Sequence, residues 1–124
     1  MIDNRVAKWL IGAALFFLVS GCGTKTYMEI PGEVIGVWKT TDAKYADRYF
    51  ELKKDSIVFG QGGHSATTYS ITRVKVKDEK QQALYIIEYA GSEAQPEEWD
   101  FTYDRDTNVL RLKSQNLIEW RKAG

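Results

Sequence analysis

Between Glu33 and the end of the chain, apolar residues recur at every second position. Trp99, Phe101 and Tyr103 are separated by Asp100 and Thr102, and Val74 and Val76 sit among Arg73, Lys75 and Lys77. Leu110 and Leu112 flank Arg111, and Ile118 and Trp120 flank Glu119. A period of two sends alternate side chains to opposite faces of a strand, one into a core and the other into water. This is the pattern of half-exposed antiparallel sheet. Turn formers interrupt it at Lys54-Asp55, Gly60 to Gly63, Asp78 to Lys80, Gly91 to Pro96, Asp104 to Asn108 and Ser114 to Asn116. The spacing predicts about eight strands, at 33–40, 48–53, 56–60, 65–77, 83–90, 97–103, 109–113 and 117–122. Only "TDAKYAD", residues 41–47, suits a helical turn, with Thr41 or Asp42 as its cap.

Short loops make sequential strands pair, and an antiparallel meander of this length must close or fold over to protect its edges. The expected fold class is therefore all-β: a small up-and-down antiparallel barrel, closed or flattened. Its predicted core holds Trp38, Phe50, Leu52, Val58, Val74, Val76, Trp99, Phe101, Leu110, Leu112, Ile118 and Trp120. Gly23 to Gly32 shows no clean period and ends at Pro31-Gly32, which reads as a tether with the folded part starting near Glu33.

The amino terminus is organised differently. Arg5 and Lys8 make a short basic start, Trp9 to Val19 is almost wholly apolar, and Ser20-Gly21 are small. These are the parts of a secretory signal peptide. The apolar run, about eleven residues, falls short of the roughly twenty that a mature transmembrane helix needs. A retained anchor is disfavoured for that reason. A buried helix with Cys22 as a core thiol is disfavoured because no later segment has a helical period to pack against it.

Leu18-Val19-Ser20-Gly21-Cys22 resembles the lipobox of bacterial lipoproteins, although Val19 stands where leucine is commoner. The resemblance implies diacylglyceryl transfer to the Cys22 sulfur, cleavage between Gly21 and Cys22, and acylation of the new amine. It divides the chain into a signal peptide at 1–21, a lipidated tether at 22–32 and a β domain at 33–124. Gly23, rather than Asp, follows the cysteine, so the retention signal seen in enteric bacteria is absent. That points to the outer membrane of a two-membrane bacterium, or to the outer face of the plasma membrane where there is one membrane. Cys22 is the only cysteine, so no internal disulfide can form.

The whole chain carries seventeen basic and seventeen acidic residues. Cleavage before Cys22 removes Arg5, Lys8 and Asp3, which leaves a net charge near −1. Such a balance gives no electrostatic reason to bind nucleic acid or an anionic surface. Roughly a hundred residues make one domain. At 13% of the chain, aromatic residues supply the large buried areas that a small domain without disulfides needs.

Gly36-Val37-Trp38 in the first predicted strand resembles the Gly-x-Trp of lipocalins and related calycins. There the tryptophan plugs one barrel end beneath a basic residue from the last strand. The resemblance implies a lipocalin-like barrel closed by Gly36, Trp38 and Arg121, here shorter than a typical lipocalin. The alternative is that Trp38 is simply a core aromatic.

Candidate chemistry is sparse. "GQGGHS", Gly60 to Ser65, has the glycines of a phosphate loop, but no helix follows to present its amino terminus. It reads as a hairpin loop. His64 is the sole histidine, so neither a two-histidine metal site nor a Cys-His pair is available within one chain. Asp104, Asp106 and Asn108 match the first three oxygen positions of a calcium loop, yet Val109 replaces its glycine and Gln115 its bidentate glutamate. A tight hairpin asks for the same residues. Glu98 and Asp100 share a strand face opposite Trp99, which reads as a solvated face rather than a carboxylate pair for glycoside chemistry. No catalytic residue, metal or cofactor is expected.

These observations lead to a membrane-anchored, non-enzymatic binding or envelope accessory module, expected as a monomer. Its partner would be a small apolar ligand, a peptide or another envelope protein. Eight short strands enclose little beyond their own side chains, so the barrel mouth or outer surface is the place to look. Tyr85, Tyr89, Trp99 and Tyr103 are the candidate ligand surface. Two other readings stay open: an envelope enzyme or enzyme inhibitor using His64 and the strand-end carboxylates, and a purely structural lipoprotein.

Overall fold

The computed structural model describes residues 23–91 and 95–123. The expected signal segment, together with Cys22 and Gly21, lies outside the described residues. Alternation of apolar and polar residues builds nine antiparallel strands: β1 (Thr24–Tyr27), β2 (Gly36–Lys39), β3 (Tyr49–Leu52), β4 (Ser56–Gly60), β5 (Ala66–Glu79), β6 (Gln82–Ala90), β7 (Pro96–Asp104), β8 (Val109–Leu112) and β9 (Gln115–Lys122). Strands β2 to β9 coincide with the eight predicted ones to within three residues at each end. Each pairs with its neighbour in sequence, and β9 returns to β2 through Trp38↔Lys122 and Lys39↔Arg121. The result is a closed eight-stranded up-and-down barrel, as expected.

The ninth strand was not foreseen. β1 adds to β5 at Val74–Lys77, on the edge that β4 leaves free after covering Ala66–Ser70. Ile30 is then buried, and its N–H donates to the Lys54 carbonyl at 2.9 Å. The tether expected over 22–32 is therefore only partly one, and the folded body begins before Glu33. An edge strand exposed at all four positions carries no alternation, which is why β1 left no signal in the pattern.

Between β2 and β3, Asp42 caps a 3-10 turn at Ala43–Tyr45, its Oδ1 accepting from the Lys44 N–H at 2.9 Å. This is the helical turn expected there. The β7–β8 hairpin uses the aspartates as expected of a tight turn. Asp104 Oδ1 accepts from the backbone N–H groups of Asp106 and Thr107, and Asn108 takes φ +57°. In β5 a bulge at Thr72 breaks the register with β6, and the Thr72 hydroxyl donates to the Glu88 carbonyl at 3.0 Å.

The core fills the barrel with Trp38, Leu52, Ile57, Val74, Tyr85, Ile87, Phe101 and Leu110, all fully buried. Tyr85 stacks on Phe101 at 4.9 Å between ring centres, a contact of about 0.5–1.5 kcal/mol beyond area burial. Of the predicted core, Trp99, Leu112 and Ile118 are only half-buried against this cluster. Val58 is shielded but lies on the opposite face from the core. The pairs Leu52↔Ile57 and Phe50↔Phe59 turn Ile57 and Phe59 inward and leave Val58 opposite Glu51.

Candidate functional site

The two ends of the barrel differ. One end is sealed by the segment that enters β2, a 3-10 turn at Gly32–Val34. Trp38 reaches back to it, its Nε1–H donating to the Val34 carbonyl at 2.9 Å. Lys122 lies across the indole, with Nζ 5.7 Å from the ring centre, and donates to the Glu33 carbonyl at 2.9 Å. Gly36 holds φ +147°, a value that side chains rarely adopt, and the Lys122 stem packs where its Cβ would project. The expected basic partner, Arg121, is not that residue. Its side chain is 60% exposed and turns outward to Glu119 Oε1 and the Thr107 carbonyl. The reason is the period of two: Trp120 faces inward, so Lys122 shares the Trp38 side and Arg121 cannot.

A polar lock completes this end. Arg105 grips Glu33 through two bonds, Nε to Oε1 at 2.8 Å and Nη2 to Oε2 at 3.0 Å, and Asp78 Oδ1 at 2.7 Å. The Tyr85 hydroxyl donates to Glu33 Oε2 at 2.5 Å. Hydrogen bonding from Arg105 holds the Glu33 carboxyl below its usual range, against the opposing effect of partial burial. Burial, followed by the hydrogen bond to Glu33 and then that carboxylate's charge, raises the Tyr85 phenol above its ordinary value. Tyr103 is also buried near this end and donates to Asn108 Oδ1 at 2.8 Å.

The other end is open. A cleft of about 260 Å³ enters between the Gly60–Ser65 loop and the start of β9, floored by Phe50, Phe59, Trp99 and Trp120 and walled by Tyr45, Arg48 and Gln115. The rings meet edge to face: Phe50–Trp99 at 4.9 Å and 82°, Phe59–Trp99 at 5.3 Å and 88°. Tyr69 and Tyr89 continue the row from Phe59. Trp120 is 3% exposed, and its Nε1–H is buried without an acceptor among the described residues. Gln115 Nε2 donates to the Tyr45 hydroxyl at 2.9 Å, and the Arg48 guanidinium stands 5.7 Å from the Tyr45 ring centre. Neighbouring Gly60 is tightly constrained, because a Cβ there would collide with the Tyr49 ring.

The four predicted ligand residues are thus split between the ends. Trp99 lines the cleft and Tyr89 adjoins it through Phe59. Tyr85 and Tyr103 are buried toward the sealed end, with their hydroxyls already bonded. Tyr45, Arg48, Phe50, Phe59 and Trp120 were not foreseen as lining residues. For Phe50 and Phe59 the signal was present, since each is the inward residue nearest its strand end at this mouth; Trp120 lies deeper in β9, beyond Ile118 on the same face. Tyr45 and Arg48 come from the β2–β3 connection, where no period guides the eye. His64 is exposed in the β4–β5 loop, and among the described residues no three His, Cys, Asp or Glu side chains gather as a metal site. Asp100 is largely shielded, with Oδ2 3.8 Å from Lys113 Nζ and Oδ1 without a hydrogen-bond partner among the described residues. No protein-family model, curated protein or solved structure matches the chain.

Proposed function

We propose that the protein is a lipid-anchored, non-enzymatic binding module of the bacterial envelope, and that its open mouth takes a small, largely apolar ligand bearing a hydrogen-bond acceptor. The observation that carries this reading is the contrast between the ends: one sealed by Trp38, Lys122 and the Glu33–Arg105 lock, the other an open aromatic cleft rimmed by Arg48 and Gln115. Arg48 at the rim suits an acceptor that carries negative charge. The lipobox-like Leu18–Cys22 supports the anchor.

Titration with a neutral naphthylamine dye tests the mouth. The dye is expected to bind the folded protein and brighten, and Trp99→Ala is expected to weaken binding at least tenfold, about 1.4 kcal/mol. Tyr103→Phe, at the other end, should leave affinity unchanged. Equal loss in both variants would contradict a site at the mouth. In cells, phenotypes removed by Trp99→Ala should survive His64→Ala, and the reverse pattern would favour an enzyme.

A further inference from the structure

We infer that the barrel stands on the membrane with its sealed end down and its aromatic mouth directed away from the lipid. The inference rests on the proposed acylation of Cys22 and adds to it a fixed orientation. One residue, Gly23, separates Cys22 from Thr24, the first residue of β1. At about 3.6 Å per extended residue, Thr24 lies within about 7 Å of the acylated residue. The polar layer on each side of a bilayer is itself only about 5–7 Å thick. Thr24 is therefore held at the headgroup surface.

It is not free to swivel there, because β1 is locked to β5 in the register Thr24↔Lys77 to Tyr27↔Val74. Lys77 is next to Asp78, whose carboxylate belongs to the Arg105 lock, so β1 begins at the sealed end. From Tyr27 the chain runs beneath that end to Ile30, bonded to Lys54, and on to the Gly32–Val34 turn. Tyr27 and Met28 are 38% and 71% exposed on this path. An amphipathic tyrosine and a flexible thioether suit the interfacial layer, and exposed Lys25 and Lys77 can face lipid phosphates. The mouth opens at the opposite ends of the same strands. Nine residues of β6, tilted in a barrel, raise it about 20 Å above the surface.

Depth-dependent fluorescence quenching tests this orientation. The full chain, acylated and purified from its own membrane, has no free thiol of its own, so Met28→Cys and Leu117→Cys each introduce one labelling site. Leu117 is 92% exposed at the mouth end, and both sites tolerate change because they make no core contact. In phosphatidylethanolamine–phosphatidylglycerol vesicles carrying headgroup spin labels, a fluorophore at position 28 should be quenched several-fold more than one at 117. Equal quenching, or more at 117, overturns the orientation. Ten Gly/Ser residues inserted between Gly23 and Thr24 add about 17 Å of flexible reach and should erase the difference; a difference that persists means that the short tether does not set it. Intact mass separates the two levels: a chain without acyl groups refutes the anchor itself, whereas an acylated chain with equal quenching refutes the orientation alone.

Discussion

Lys122 and Arg121 follow one another in β9, yet only Lys122 can serve the indole of Trp38, because successive side chains leave a strand on opposite faces. A cation over a tryptophan face contributes about 0.5–2 kcal/mol according to its desolvation. A double-mutant cycle of Trp38→Phe with Lys122→Met, which keeps much of the aliphatic stem, should give a coupling near 1 kcal/mol in urea unfolding. The same cycle with Arg121→Gln should be additive within about 0.3 kcal/mol. Trp38→Ala should cost about 3–5 kcal/mol through the cavity it leaves. At Glu33 the folded carboxyl titrates below its unfolded value of 4.5, so its stabilisation is present above that pH and is lost as pH falls through the lower folded value. Thermal melts from pH 7 to pH 3 should show Tm falling below about pH 4.5, and Glu33→Gln should flatten that fall while lowering Tm at pH 7. The basic partner was therefore legible from alternation alone, since Ile118, Trp120 and Lys122 form one period-two series. The Glu33–Arg105–Asp78 lock was not, because it joins a loop, a hairpin and a strand end that no local pattern links.

Among the elements, β1 and the hairpins obey different rules. The hairpins announced themselves through turn residues, and the Asp104–Asn108 loop folds as its side-chain chemistry asks. β1 was missed because it is a fully exposed edge whose only information lies in pairing with β5. Its contribution is measurable. A chain beginning at Glu33 keeps the β2–β9 closure and should retain a β-type circular dichroism spectrum. It loses Ile30 from the core and the β1 ladder, and should be less stable by about 2–5 kcal/mol, the range for truncating a buried isoleucine. A truncated chain as stable as the longer one would show that β1 is only an adornment of the sheet edge. Gly60 offers a second check at this scale. Gly60→Ala should destabilise β4 by colliding with the Tyr49 ring, and adding Tyr49→Ala should recover part of the loss.

For the whole molecule, strand count and closure followed from periodicity, because a meander of short strands has few ways to hide its edges. The mouth did not follow so readily. Which inward aromatic rings seal an end and which line a cleft depends on strand stagger, which set Tyr85 and Tyr103 at one end and Trp99 at the other. The proposal that an acylated amino terminus carries an occupied mouth is tested in one spectrum by native mass spectrometry of the protein purified from its own membrane. It predicts a chain cut before Cys22 with diacylglyceryl and acyl mass added, together with a small noncovalent mass that Trp99→Ala removes and Tyr103→Phe retains. An uncut, unmodified chain carrying no additional mass would contradict it.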